Sequence, residues 1–280
     1  MVEKSVSEQD KSLLFIDVGN SLAKYCCLSA TDIQSTQLDQ IKPTVEYFSE
    51  SLSPLDLLHK VSHVYLSYVK APMWLNALEK AAQAANIPVI TAKSAKHTRI
   101  NHSILINGYK HVSNMGVDRW LAMIAAVGLF PQKSDFVVVD AGTAITCDVV
   151  FRHQHQGGWI APGYKTLKTS LLKNTEQVFT HETAEKKQPQ PIFLGTDTPD
   201  CVEQGCLAQI NGMVNLACEA LNDQTDEFIV LITGGDQIKL SFPRKNNIHY
   251  FTNLVLLGLI QVAKTGVIVE KNNETSINSI

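Results

Sequence analysis

The sequence predicts a mixed α/β fold of two related lobes with a cleft between them, and three observations carry that prediction. Phe136 to Val150 reads as strand, turn, strand: a β-branched run ends in Asp140, passes Gly142 and Thr143, and resumes as a second apolar run. Leu13 to Tyr25 repeats the design, with Asp17 at the tip of an apolar strand, Gly19 two residues on, and Asn20 and Ser21 beside it. Around the two copies, short strands alternate with helical periodicity in a βαβ rhythm. A single strand ending in Asp-x-Gly is commonly an ordinary hairpin. Two copies, one early in each half, point to duplicated lobes. In each, a buried strand fixes a carboxylate while Gly and the turn N–H groups cradle an anion such as phosphate.

The 280 residues suffice for two cores. A net charge of -3 and 18% charged residues give no basic field for nucleic acid and no acidic tail. The six cysteines, among them Cys26, Cys27, Cys147, Cys201 and Cys206, form no Cys-x-x-Cys pair and have no His at metal-ligand spacing. They read as reduced, mostly buried small residues. The N-terminus has no apolar signal core, and no apolar run approaches the roughly 18 residues of a membrane span. The expectation is a cytoplasmic protein without membrane or nucleic-acid partners.

Along the chain, residues 1–11 are polar and expected to fray. Leu13 to Asp17 forms the first strand, and Ser21 to Leu28 returns beside it across the Gly19-Asn20 turn. Lys24 is either a solvent-facing strand residue or an ammonium folded back onto a phosphate. Thr31 to Leu58 is irregular, with a short strand and a helix beginning near Ser53-Pro54. Val64 to Ser67 is a strand, Trp74, Leu75, Leu78 and Ala82 fall at helical spacing, and Ile87 to Ile90 is another strand. The segment from Asn107 runs through a loop into a helix over Trp120 to Leu129. Asp118 suits the positive end of that helix, whereas Arg119 does not. Arg119 is then either an exposed neighbour of an N-terminal acid or a guanidinium fork awaiting a ligand carboxylate or phosphate.

Beyond the central strand pair, Gly157, Gly158 and Gly163 read as turns around one short apolar strand, followed by a helix through Leu167, Leu171 and Leu172. Thr175 to Pro191, with His181 and Lys186-Lys187, reads as an exposed loop. Thr198 reads as an N-cap with Pro199 at the first helical position of a long helix through Cys206, Ile210, Met213, Ala217 and Leu221. Capping is sufficient for Thr198, and a ligand contact is the alternative. Phe228 to Asp236 is a buried strand opening on Gly234-Gly235. Asn253 to Val267 is a closing helix, and residues 268–280 are expected to be disordered.

Three of these motifs, Asp17-x-Gly-Asn-Ser, Gly116-x-Asp-Arg-Trp120 and Asp140-x-Gly-Thr-Ala-x-Thr146, resemble type III pantothenate kinase in order and spacing. That family lies in the actin, heat-shock-protein and sugar-kinase superfamily of paired ribonuclease-H-like lobes. The resemblance covers roughly Leu13 to Ile260. It implies an N-terminal lobe over residues 12–118 and a C-terminal lobe over 119–267. The implied reaction is ATP-dependent phosphorylation of the terminal hydroxyl of pantothenate, the first step to coenzyme A. By similarity Asp17, Val18, Gly19, Asn20, Ser21, Leu22, Ala23 and Lys24 hold the ATP phosphates, with Asp17 near Mg2+. Asp118 is the implied general base. Gly116, Val117, Asp118 and Arg119 line the pantothenate site, with Tyr109 and Thr198 as further contacts. Asp140 is implied to bind a monovalent cation, K+ or NH4+, Thr143 to bind the nucleotide, and Gly234 and Gly235 to border it. The resemblance also implies a homodimer, in which Thr198 serves its own or the partner's site.

Two residues depart from the family pattern. Ser21 replaces the usual Thr and keeps the hydroxyl, and Val112 replaces a common Pro, which loosens the loop carrying Tyr109. The reaction class suits the residues, because phosphoryl transfer needs alignment and charge stabilisation more than covalent catalysis. The family also includes Bvg accessory factors, so the alternative is a non-catalytic regulatory protein on the same fold. Asp17, Asp118, Arg119 and Asp140 together favour the enzyme, since a binding module has no use for a base beside an anion cradle.

Overall fold

The computed structural model describes residues 12–48, 53, 55–174, 191–225, 227–240 and 247–266. The two expected tails, the loop containing His181 and Lys186-Lys187, and Pro54 lie outside the described residues.

The first sheet has the order β3-β2-β1-β4-β5. Its strands are β1 (Ser12–Val18), β2 (Ala23–Ser29), β3 (Glu46–Tyr47), β4 (Val61–Tyr68) and β5 (Val89–Thr91). β2 runs antiparallel to both β1 and β3, and β1, β4 and β5 run parallel. The second sheet has the order β12-β11-β8-β9-β10-β7-β6. It comprises β6 (His97–Ile100), β7 (Ser103–Ile106), β8 (Phe136–Ala141), β9 (Ala144–Phe151), β10 (Gln154–Pro162), β11 (Ile229–Thr233) and β12 (Ile248–Tyr250). Within it β10-β9-β8-β11-β12 repeats the antiparallel, antiparallel, parallel, parallel sequence of the first sheet. The duplicated strand-turn-strand read from the sequence is thus the centre of a duplicated sheet, with β1 and β8 in equivalent places.

The helices are α1 (Ala30–Ser35), α2 (Leu75–Ala84), α3 (Val117–Leu129), α4 (Tyr164–Asn174), α5 (Thr198–Asn222) and α6 (Leu254–Thr265). α3 and α6 lie between the sheets. One apolar cluster joins Leu13 and Phe15 of β1 and Trp120, Leu121 and Ile124 of α3 to Leu256 and Ile260 of α6 and Phe136 and Val138 of β8. The helices meet closely because Gly258 abuts the backbone of Leu121 and Gly128 abuts Gln261. The outer face of the second sheet packs Val137, Val139 and Cys147 on Ile210, Val214 and Ala217 of α5. The outer face of the first packs Leu14, Ile16 and Val64 on Leu75 and Leu78 of α2.

Several local expectations are revised. The helix expected from Ser53-Pro54 is only a 3-10 turn over Asp56–Leu58. The helix expected from Trp120 begins at Val117, so Asp118 and Arg119 sit in its first turn. Of the glycines expected to make turns, Gly157 and Gly158 lie in the nine-residue strand β10, because Gly157 forms a bulge instead of a chain reversal, while Gly163 stands between β10 and α4. Thr198 is not the N-cap. Asp197 is, its carboxylate accepting the Asp200 N–H at 2.9 Å, with Pro199 in the first turn. Cys27 and Cys201 are exposed, not buried. β6 and β7 fall within the 12–118 range but pair with the second sheet.

Candidate active site

The duplicated strands β1 and β8 end in Asp17 and Asp140, and the first turn of α3 brings Asp118 to the same place. Asp17 is pushed up to about 7 by burial; Lys24 opposes the shift, and the charges of Asp118 and Asp140 add to it. Asp140 is pushed up to about 6 by burial and by Asp118, again against Lys24. Three carboxylates from separate elements therefore feel one another, with Lys24 as the counter-charge. Lys24 is not a plain surface residue. It lies opposite Asp17 on β2 and donates to Asn253 Oδ1 at 3.4 Å, at the start of α6.

The two turns face each other. Gly19 N–H donates to the Leu22 carbonyl and closes the first loop tightly around Asn20 and Ser21. Ser21 Oγ meets Thr143 Oγ1 at 2.7 Å, so the hydroxyls of the two copies touch. Thr143 is held from behind, since its carbonyl accepts from Gly163 N and Thr166 Oγ1. Gly163 is required there, because a Cβ would stand 1.9 Å from the Gly142 carbonyl oxygen. Gly234, with φ +96°, lies against Asp140 and the Ala141 carbonyl, where a side chain would collide. Gly235 follows, and the Asp236 N–H donates to Ala141 O at 2.8 Å.

Gly116 caps α3 with extended ψ, and Asp118 Oδ1 accepts the Arg119 N–H at 2.8 Å. A Cβ on Gly116 would come within 2.5 Å of that oxygen, so glycine leaves the carboxylate room over the helix N-terminus. The Arg119 fork is occupied from within the chain. Its Nε and Nη2 donate to Asp148 at 2.8 and 2.6 Å, and its Nη1 donates to the Tyr109 hydroxyl at 2.6 Å. His155 Nε2 reaches the same Asp148 at 2.8 Å, and its ring stacks on Tyr109. Tyr109 is fixed despite Val112, because Asn107 Oδ1 also holds its N–H at 2.9 Å.

Sequence reading missed Asp148 and His155. The available signal was an acid inside the β-branched strand Ala144–Phe151: a buried carboxylate needs a cation, and Arg119 lacked a partner. Thr198 borders another space. It lines a cavity of about 630 Å³ with Leu171, Gly195, Cys201 and Gln209, and none of the three carboxylates borders that space.

Sheet order and paired Asp-bearing turns define an actin-like sugar-kinase fold. A putative N-acetylmannosamine kinase structure from Listeria monocytogenes aligns with TM-score 0.50 at 13% identity over 91% of this chain and 99% of that one. A putative Baf family transcriptional activator from Campylobacter jejuni aligns with TM-score 0.51 at 21% identity over 91% and 98%. These likenesses establish the fold alone. The type III pantothenate kinase family model matches residues 13–220. The type III pantothenate kinase of Pseudoalteromonas atlantica is 36% identical over 91% of this chain and 98% of its own length. That of Colwellia psychrerythraea is 30% identical over 90% and 100%. The chain belongs to the type III pantothenate kinase family.

Proposed function

We propose that the protein transfers the γ-phosphoryl group of ATP to the terminal hydroxyl of pantothenate, opening coenzyme A synthesis, with Asp118 as general base. The observation that carries the reading is the convergence of Asp17, Asp118 and Asp140 with Lys24 at the facing tips of the duplicated strands. Asp118, in the first turn of α3, takes the hydroxyl proton as the oxygen attacks. The first loop, Asp17 to Lys24, cradles the phosphates, with Thr143 facing it across the 2.7 Å hydroxyl contact. Tyr109, Gly116, Val117, Arg119 and Thr198 form the pantothenate side.

The donor set fits a divalent cation. Mg2+ in phosphoryl-transfer sites takes one or two carboxylates along with phosphate oxygens and water, and Asp17 is a buried carboxylate short of positive charge. Bound with ATP, Mg2+ supplies charge neutralisation on the phosphates. Among the described residues no three His, Cys, Asp or Glu side chains form a ready-made cage, so the phosphates complete the ligand set. Asp140 fits K+ or NH4+ as a partly buried carboxylate beside Gly234. The protein acts as a homodimer in the cytoplasm, in which Thr198, lining a cavity of its own, serves its own or the partner's site.

The test is phosphopantothenate formation from ATP and pantothenate with Mg2+, with and without K+ or NH4+. Asp118→Asn is expected to lower kcat by at least ~100-fold. Near-wild-type turnover in that variant removes Asp118 from its role. Absence of product from wild type, with ATP still bound, favours the accessory-protein alternative.

A further inference from the structure

Asp148 and His155 belong to none of the motifs that carry the kinase reading, yet both are almost fully buried, with Asp148 at 0% exposure and His155 at 1%. Asp148 faces inward from β9, toward α3, where it accepts two N–H groups of Arg119 and one of His155. Asp148 already takes the Arg119 fork, and its carboxylate can only accept, so His155 Nε2 is the donor in their 2.8 Å contact.

The backbone is shaped to bring these groups together. Gln156 is an extra residue in β10, so His155 pairs with Val150 and Gly158 with Asp148: three residues of β10 span two of β9. The bulge, at Gly157 with φ +133°, puts His155 and Gly158 on one face of the sheet, both toward α3. Gly158 then leaves room for the fork. A Cβ there would stand 2.7 Å from both Arg119 Nη2 and Asp148 Oδ1. Gly108 likewise permits the Tyr109 loop to press on the His155 backbone, where a Cβ would come within 2.0 Å of the carbonyl oxygen.

We infer that Asp148 and His155 are positioning residues for the substrate side of the site: Asp148 aims the Arg119 guanidinium, and His155 fixes both that carboxylate and the face of Tyr109. The inference rests on the kinase reading for its substrate. Arg119 keeps one N–H on Nη1 and one on Nη2 beyond those engaged by Tyr109 and Asp148, so its direction, not its net charge, is what the bound substrate meets. Loosening this frame weakens pantothenate binding and leaves the phosphate cradle intact.

Two variants separate the contributions of His155. His155→Phe keeps a ring on Tyr109 and removes the N–H; His155→Gln places an amide N–H near the Nε2 position. With His155→Phe the KM for pantothenate is expected to rise about tenfold. The KM for ATP should stay within about twofold and the Tm within a few degrees, while the Arg119 Nε–H exchanges faster with solvent by NMR. His155→Gln should recover most of the pantothenate KM. An unchanged pantothenate KM in His155→Phe overturns the inference, as does a parallel rise in both KM values with a large fall in Tm. If the wild type phosphorylates no pantothenate, the kinase reading falls and exchange alone decides. Faster Arg119 exchange in His155→Phe supports the positioning role, and equal exchange overturns it.

Discussion

At the residue scale, the buried acids of the site work against the stability of the ligand-free protein. Asp17 is pushed up to about 7, first by burial, whereas an unfolded Asp titrates near ~3.9. The folded state therefore holds a proton that the unfolded chain has released, and stability from this group falls as pH rises from about 4 to about 7. A shift of this size corresponds to ~4 kcal/mol at most. Asp17→Asn is thus expected to raise the Tm of ligand-free protein at pH 8 and change it little near pH 4.5, while turnover drops by ~100-fold or more. Thermal melts at the two pH values check this, and a variant no more stable than wild type at pH 8 contradicts it. Asp17 and Asp140 were legible in the sequence because a strand-ending acid before Gly has a local signature. Asp148 was not, because its partner Arg119 lies 29 positions away and only the fold brings them together.

At the element scale, the start of α5 separates capping from ligand contact. Asp197 caps the helix and Thr198 does not, so Asp197→Ala should cost ~1 kcal/mol of stability, measured by denaturant unfolding. Thr198→Ala should leave stability nearly unchanged and raise the KM for pantothenate. A Thr198→Ala protein as destabilised as Asp197→Ala would return the cap to Thr198. Sequence pattern placed this helix and missed its cap by one residue, because Gly-Thr-Asp-Thr-Pro offers adjacent candidates and only backbone geometry chooses between them. The same limit applies to β10. Glycines read equally as turns or as a bulge, and the choice rests on pairing with β9. Gly158→Ala should cut pantothenate turnover sharply, because its Cβ would meet the Cys147 carbonyl oxygen at 2.2 Å and the Arg119 fork at 2.7 Å. Kinetics of that variant with ATP KM as internal control test the point.

At the scale of the whole molecule, the duplication was legible because both copies carry the same short motif, yet the two lobes are not separate cores. α3 and α6 pack on both sheets, and one apolar cluster runs from Phe15 of β1 to Leu231 of β11. No local sequence pattern reports that sharing, since an apolar helix looks the same whether it serves one sheet or two. We propose that the lobes of residues 12–118 and 119–267 fold as one cooperative unit. Gly258 tests this, because its Cβ would stand 2.0 Å from the Leu121 carbonyl oxygen and force α3 and α6 apart. Gly258→Ala should cost ~3 kcal/mol, or roughly 6–12 °C for a chain of this size. The three tryptophans provide probes. Trp74 stacks on Phe48 beside the first sheet, Trp120 lies in the shared core, and Trp159 lies on β10. Fluorine NMR of 5-fluorotryptophan-labelled protein should show all three unfolding at one midpoint, shifted together by Gly258→Ala. If Trp159 unfolds apart from Trp74, or only one of them responds to the substitution, each sheet has its own stability and the shared helices do not couple them.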